Sequence, residues 1–502
     1  MLSNMEPAVM LSNMESGKSL RTASLVLGLC LVICVRWSAG QSDHPAKLLQ
    51  SCWNDNFDSS PRTFQEWLGG RTPSFQLTEV WWSKHNSSAP LTIFTSASVD
   101  RLPMVEAQCR DYVGPLVAAV YVPVVVRQVE RFVGDDSVSG LPAHRRLRHR
   151  ALLQQQQQLM KEPFGSKVAA VRADMQALFD RMEAGGGSTL PPGRSCCCQL
   201  RLLLFTERVA DRQMATLMPT NSMRNAAMLA VQTPLAAMID VDLGVSDTFN
   251  KAISNKTWAD LLVQNAVVPQ PKIFIPTAWE PNHTLDMHTA TRMAELALRG
   301  SKADLIQLWL NNTLQIFQID VCKHCHRPFN HSVWANATAA YSVEFKKWFE
   351  PWGALWRFHD PGYDERFRGW YFNKVSHVEA MARLWHFQFI VLPESWLVHR
   401  PHTKIAAAEL HHGASANNTN VTANNVNDAS LSALLQKKPL GNAPEATMFD
   451  HFMTYIMNLS ELVRELMSQG KGYVPQINHQ LVHCRRVLPW WMGQGRPGEW
   501  RH

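Results

Sequence analysis

The chain has 502 residues, enough for one large catalytic domain with insertions or for two domains. Hydrophobic residues make up 46% of it, so a sizeable core can form and a wholly disordered chain is excluded. A net charge of +7 and a pI of about 8.9 suit anionic partners such as sugar nucleotides or acidic headgroups, without demanding them.

A polar tail over 1–21 ends with Lys18 and Arg21, and the apolar run Ala23 to Val35 follows, closed by Arg36-Trp37. The run is short for a plasma-membrane span. It reads as a signal anchor over 22–37 for a thin early-secretory membrane, or as a signal peptide cleaved near Ser38-Ala39-Gly40. Either puts most of the chain in a lumen or outside the cell. Asn-x-Ser/Thr sequons, among them Asn86, Asn255, Asn282 and Asn311, lean the same way. Of ten cysteines, Cys30 and Cys34 fall in the apolar run. Some of the others are expected to pair in an oxidising lumen, in a connectivity the sequence does not give. Residues 38–90, polar and tryptophan-containing, read as a stem.

A catalytic domain is expected over 91–480. Leu91 to Thr95 predicts a strand, Ser98 to Cys109 a helix, and Leu116 to Val126 a second, buried strand, together an α/β unit. Composition shifts over 133–198, through Gln154 to Gln158, Gly185 to Gly187 and Cys196 to Cys198. This reads as a low-complexity insertion carrying a surface helix at Lys167 to Met182. Its basic run, Arg145 to Arg150, reads as solvated, and no nucleic-acid partner is expected. Leu202 to Phe205 resumes as a strand. A helix begins at Asn221, a suitable N-cap, with Met223, Ala226, Ala227, Ala230 and Val231 at helical spacing and Arg224 and Asn225 beside that face. Thr233-Pro234 stops it. Leu235 to Ile239 then leads into Asp240-Val241-Asp242. Ile273 to Ile275 is another strand, 411–445 a flexible loop, Phe449 to Met467 an amphipathic helix, and 481–502 a tail.

In a strand, residues two apart share a side, so Asp240 and Asp242 would leave one sheet edge together and hold a hard divalent cation with positions left for phosphate oxygens. The triplet alone is common by chance. Cys322-x-x-Cys325 with His324, His326 and His331 has the spacing of a zinc half-site, but no second Cys-x-x-Cys follows, and a disulfide or free thiols are the preferred reading.

Downstream lie Tyr363-Asp364-Glu365-Arg366-Phe367-Arg368-Gly369-Trp370-Tyr371-Phe372-Asn373-Lys374-Val375-Ser376-His377, then Phe389 to Pro393 and Leu397-Val398-His399-Arg400-Pro401-His402. With Asp100-Arg101-Leu102, the Arg224-Asn225 helix, Ser301 to Leu305 and Phe349-Glu350-Pro351, in this order, the chain resembles glycosyltransferase family 49. That family holds the LARGE-type glucuronyltransferase domain and the related β-1,4-glucuronyltransferase. The resemblance implies a GT-A fold, an α/β Rossmann-like domain. It also implies a type II Golgi membrane protein and inverting transfer of a sugar, glucuronate by analogy, from a UDP-sugar to a glycan or glycoprotein acceptor with Mn²⁺. Asp240, Asp242 and His399 would hold the metal, with His402 a weaker candidate. Asp364 would be the base, with Glu365 in reserve, and Arg101, Arg224, Asp240 and Lys374 would contact the donor. The alternative is a catalytically silent family member that binds glycans or partners in the secretory pathway. One catalytic unit, rather than a tandem pair, points to a single-transfer enzyme.

Overall fold

The computed structural model describes residues 44–126, 166–185, 198–402 and 448–492, except positions 56, 59, 71, 72, 269 and 471. The expected anchor, the basic run and the 411–445 loop lie outside these residues. No helix among the described residues is long and apolar enough to cross a membrane.

The fold is mixed α/β around one sheet of eleven strands. In chain order they are β1 (Gln76–Trp82), β2 (Leu91–Ser98), β3 (Pro115–Val125), β4 (Gln199–Val209), β5 (Leu235–Met238), β6 (Leu243–Val245), β7 (Lys272–Pro281), β8 (Leu314–Ile316), β9 (Tyr341–Val343), β10 (Gly353–Trp356) and β11 (Gln388–His399). The main path runs β1-β4-β3-β2-β5-β10-β7-β11-β6, with β8 on β7 and β9 on β11. The block β4-β3-β2-β5 is parallel. Its central β3 carries an unbroken apolar run, Leu116 to Val122, because both of its faces are covered. The inserted β10 is antiparallel to β5 and β7, and β11 returns parallel to β7.

The predicted strands and helices lie close to their expected places. The helix around Asn221 differs at its start. It spans Thr220–Leu229 with Pro219 at the cap, so Asn221 is inside the first turn and fully buried. Its amide instead donates to the Asp364 carbonyl (2.8 Å) and the Asn373 carbonyl (3.1 Å). A buried amide finds partners wherever the packing offers them, and a cap reading ignores that competition.

Residues 45–82 are part of the fold rather than a stem. The helix Pro45–Asn54 packs on β1, and β1 adds antiparallel to the edge of β4. Residues 481–492 are likewise no tail. The helix His479–Val487 is clipped to Pro45–Asn54 by a Cys52–Cys484 disulfide. Gln480 Nε2 donates to the Trp53 carbonyl at 2.9 Å. Trp490 and Trp491 both donate to the Leu229 carbonyl, at 2.7 and 2.9 Å. These segments look weakly patterned because they cover an edge and a helix end rather than building a strand of the block. The 166–183 helix is present as expected, but Val171, Met175, Leu178 and Met182 bury one face of it against the main core. Cys109 pairs with Cys198, and Cys322 with Cys325, so the Cys-x-x-Cys is a disulfide and holds no zinc.

The Cys52–Cys484 bridge joins positions 432 residues apart, which restricts the unfolded chain strongly. Cys484→Ser should lower stability by about 2–4 kcal/mol. The check is the urea midpoint of the variant against that of the wild type, both without reductant.

Candidate active site

The site sits where the parallel strands end. β5 stops at Met238, and Asp240, Val241 and Asp242 form the turn into β6. The carboxylates therefore do not share a side, as strand geometry would require; the turn sends them to different partners.

Asp242 is fixed by the short antiparallel ladder of β6 and β11, which pairs His399 with Leu243 and lets the Arg400 amide donate to the Asp242 carbonyl at 2.8 Å. On that frame the Nε2 atoms of His399 and His402 lie 3.6 and 3.2 Å from the same Asp242 oxygen. One ligand atom from each of the three residues falls within a 4.8 Å cluster. Burial works against the charge on Asp242, but the two imidazoles beside it outweigh that and hold the carboxyl far below its usual range. Burial also pulls His399 down, and the Asp242 carboxylate outweighs that and raises it. Arg400, between the histidines, is tied to the buried Asp111 and to Glu295, which anchors the loop to the helices Leu102–Asp111 and Met287–Arg299. A carboxylate and two imidazoles converging within this distance are a fitting donor set for a borderline divalent cation. His402, the weaker candidate by sequence, joins the cluster as fully as His399.

Asp240 faces the other way. Its Oδ1 accepts from Arg224 Nη2 at 2.8 Å, and its Oδ2 accepts from Trp352 Nε1 at 3.0 Å and Lys374 Nζ at 3.3 Å. Burial opposes its charge, but Lys374 and Arg224 outweigh that and lower its pKa. Among the described residues Asp240 is not in the metal-ligand cluster. Arg224 is nearly sealed and spent on its own scaffold, donating also to Asn221 Oδ1 (3.1 Å) and Asn373 Oδ1 (2.9 Å). Lys374 lies 3.3 Å above the Trp352 ring and reaches Glu350 as well as Asp240. It enters on the helix Asn373–Arg383, after Gly369, Tyr371 and Phe372 turn the chain with φ of +72°, +70° and +56°. Two non-glycine residues held in the left-handed region mark a segment shaped by its surroundings rather than by its own preference. Arg101 is mostly buried at the end of the 3₁₀ turn after β2, loosely paired with Asp100 at 3.9 Å, and its charge is felt by His399.

The two carboxylates expected as base are enclosed. Asp364 is 2% exposed and clamped by Arg366, with Nη2 at 2.6 Å, and by the Tyr473 hydroxyl at 2.7 Å. Glu365 is 1% exposed; its Oε1 accepts from Asn225 at 2.9 Å, and its backbone amide donates to the Gln476 carbonyl at 2.8 Å. Burial pushes the Glu365 carboxyl up to about 7. Neither is open to an acceptor hydroxyl, because the 473–478 segment closes over both, and nothing in the local Tyr-Asp-Glu-Arg pattern signals that cover. Trp352, unassigned by sequence, lines a cleft with Lys374 instead, and Glu350 pairs with that lysine at 3.4 Å. The histidines of the Cys322–Cys325 loop are structural: His326 stacks on Trp352 with ring centroids 5.6 Å apart and planes 10° apart, and His331 meets Trp279 edge-on.

A family model described as "Glycosyl-transferase for dystroglycan" matches residues 90–431. Xylosyl- and glucuronyltransferase LARGE2s of Danio rerio is 32% identical over 188 residues, 37% of this chain and 22% of that protein. Xylosyl- and glucuronyltransferase LARGE1 of Homo sapiens is 26% identical over 319 residues, 63% of this chain and 32% of that protein. Glycosyltransferase-like protein LARGE of Caenorhabditis elegans is 28% identical over 201 residues, 40% of this chain and 29% of that protein. The chain thus spans about a quarter to a third of the length of these curated relatives.

A carboxyl raised from 4.5 to about 7 binds more protons in the folded than in the unfolded chain between those values. Its contribution is intact below about pH 4.5 and is lost as pH rises to about 7, on the order of 3 kcal/mol in all. Glu365→Gln should flatten that part of the stability curve, seen as a smaller shift of the urea midpoint between pH 5 and pH 8 than the wild type shows.

Proposed function

The chain belongs to the family described as glycosyl-transferase for dystroglycan, and from that membership we propose that it transfers a sugar from a UDP-sugar to a glycan acceptor, with Mn²⁺ held by Asp242, His399 and His402. The observation that carries the reading is the convergence of these three side chains on one point beside the Asp-x-Asp turn, at the carboxyl end of the parallel strands where α/β folds bind nucleotides. When bound, the cation neutralises the diphosphate that leaves. The chain's own residues do the rest. Arg400 and the β6–β11 ladder hold the three donors in register. Asp240, gripped by Arg224, orients Lys374 at the edge of the cleft. Arg101, mostly buried and only loosely paired, offers a guanidinium to a phosphate or to a sugar carboxylate, and such forked recognition suits glucuronate as the donor.

The reading sets the chain in the Golgi lumen, carried by the apolar run Ala23 to Val35, with an inverting mechanism. Three disulfides within the described residues, Cys52–Cys484, Cys109–Cys198 and Cys322–Cys325, support an oxidising compartment.

The test is a panel of UDP-sugars with the luminal chain, a glycan acceptor mixture and Mn²⁺, reading released UDP. One donor should give acceptor-dependent release that chelation abolishes. Asp242→Asn and His402→Ala should each reduce it by ~100-fold or more. Donor binding with no transfer by the wild type across the panel would instead identify a catalytically silent binder.

A further inference from the structure

An inverting displacement needs a general base on the acceptor side of the donor, open to an incoming hydroxyl, and a carboxylate can serve. The acidic groups around the cleft can be sorted by what already occupies them. Asp242 is taken by the two imidazoles, and Asp240 by Arg224, Lys374 and Trp352. Glu280 is buried under the Gln318 amide, Gln315 and His283. Asp360 is 3% exposed and caps the Gly362 amide at 2.7 Å. Asp364 and Glu365 are sealed as described above. Glu350 differs from the sealed Asp360, Asp364 and Glu365 in its exposure, and from Asp240 and Asp242, which are 32% and 26% exposed, in having a single ion-pair partner among the described residues. Its side chain is 25% exposed, and its ion-pair partner among the described residues is Lys374, at 3.4 Å on Oε1. That same ammonium reaches Asp240 at 3.3 Å, so Glu350 stands one cation away from the Asp-x-Asp turn. Its backbone is pinned, since the Glu350 amide donates to the Cys325 carbonyl at 3.0 Å, and Phe349 and Trp352 on either side are buried.

We infer that Glu350 is the general base of the transfer, an assignment that rests on the UDP-sugar reading of the site. The acceptor oxygen forms its bond to the anomeric carbon as the bond from that carbon to the diphosphate oxygen breaks. The electron pair of the broken bond leaves on UDP. The hydroxyl proton passes to the Glu350 carboxylate and from there to water. Lys374 keeps the carboxylate beside the donor without covering its outer face.

The test compares the wild type with Glu350→Gln and Glu350→Asp as the full luminal chain with Mn²⁺. It measures UDP affinity by calorimetry and, separately, kcat and donor KM for transfer. Glu350→Gln should bind UDP within about threefold of the wild type and keep its donor KM, while kcat falls by ~100-fold or more, with Glu350→Asp between the two. Unchanged UDP binding also reports a folded site. If Glu350→Gln keeps kcat within a few-fold, the base is another group and the assignment is wrong. If UDP affinity falls along with kcat, Glu350 only props Lys374, and the base assignment is again overturned. If the wild type neither binds UDP nor transfers, the transferase reading itself fails and the role of Glu350 falls with it.

Discussion

The site depends on how one carboxylate at the end of a strand is satisfied. Asp240 sits at the end of β5 under Arg224, Lys374 and Trp352, which come from three separate parts of the chain. The nearly sealed cations of Arg224 and Lys374 both meet this anion, so the helix Thr220–Leu229, the Trp352 segment and the helix Asn373–Arg383 are drawn together at the turn. The knot extends through Asn221, which bonds the Asp364 and Asn373 carbonyls, and through Asn225, which bonds the Tyr363 carbonyl and Glu365. The long Tyr-Asp-Glu-Arg-Phe segment is thereby a buttress for the Asp-x-Asp turn. Its acidic residues are structural because they face helix Thr220–Leu229 and the 473–478 cover, not the cleft.

Much of the architecture was legible in the sequence because it follows from periodicity. The strand-helix-strand start, the apolar helix before the Asp pair and the strand feeding it are local patterns, and β2, β3, β5 and the helix Thr220–Leu229 lie close to where those patterns put them. That Asp242 and His399 meet was legible from their order along the chain. What failed was whatever depends on tertiary partners. Asn221 has the chemistry of a cap, but buried carbonyls outbid the helix end for its amide. Asp240 and Asp242 have strand spacing, but the strand stops at Met238, two residues before Asp240. Asp364 was expected as the base; the Arg366 ion pair is local and readable beside it, but the Tyr473 hydroxyl that seals it arrives only when the 473 segment folds back. Residues 45–82 and 481–492 carried weak signals because edges and covers need only modest patterning to pack.

The Cys322–Cys325 loop shows how far support for the cleft reaches. Its His326 lies flat on Trp352, the same indole that donates to Asp240, while Phe317 packs both Trp352 and His399. One aromatic cluster thus braces the Asp240 side and the Asp242 side of the turn together. Cysteines and histidines at this spacing can serve a metal half-site or a disulfide; the disulfide, within the reading preferred from the sequence, is present, and the ring stacking of His326 is packing.

The Cys52–Cys484 clasp also bears on the order in which the chain is made. The helix Pro45–Asn54 and edge strand β1 emerge early from the ribosome, yet one of their partners, His479–Val487, lies hundreds of residues downstream. Until synthesis reaches that helix, the early segment lacks part of its apolar cover and the disulfide partner of Cys52. Contacts of this sequence separation close late and slowly. Biosynthesis therefore passes through a long interval in which the parallel block can be assembled while its edge waits.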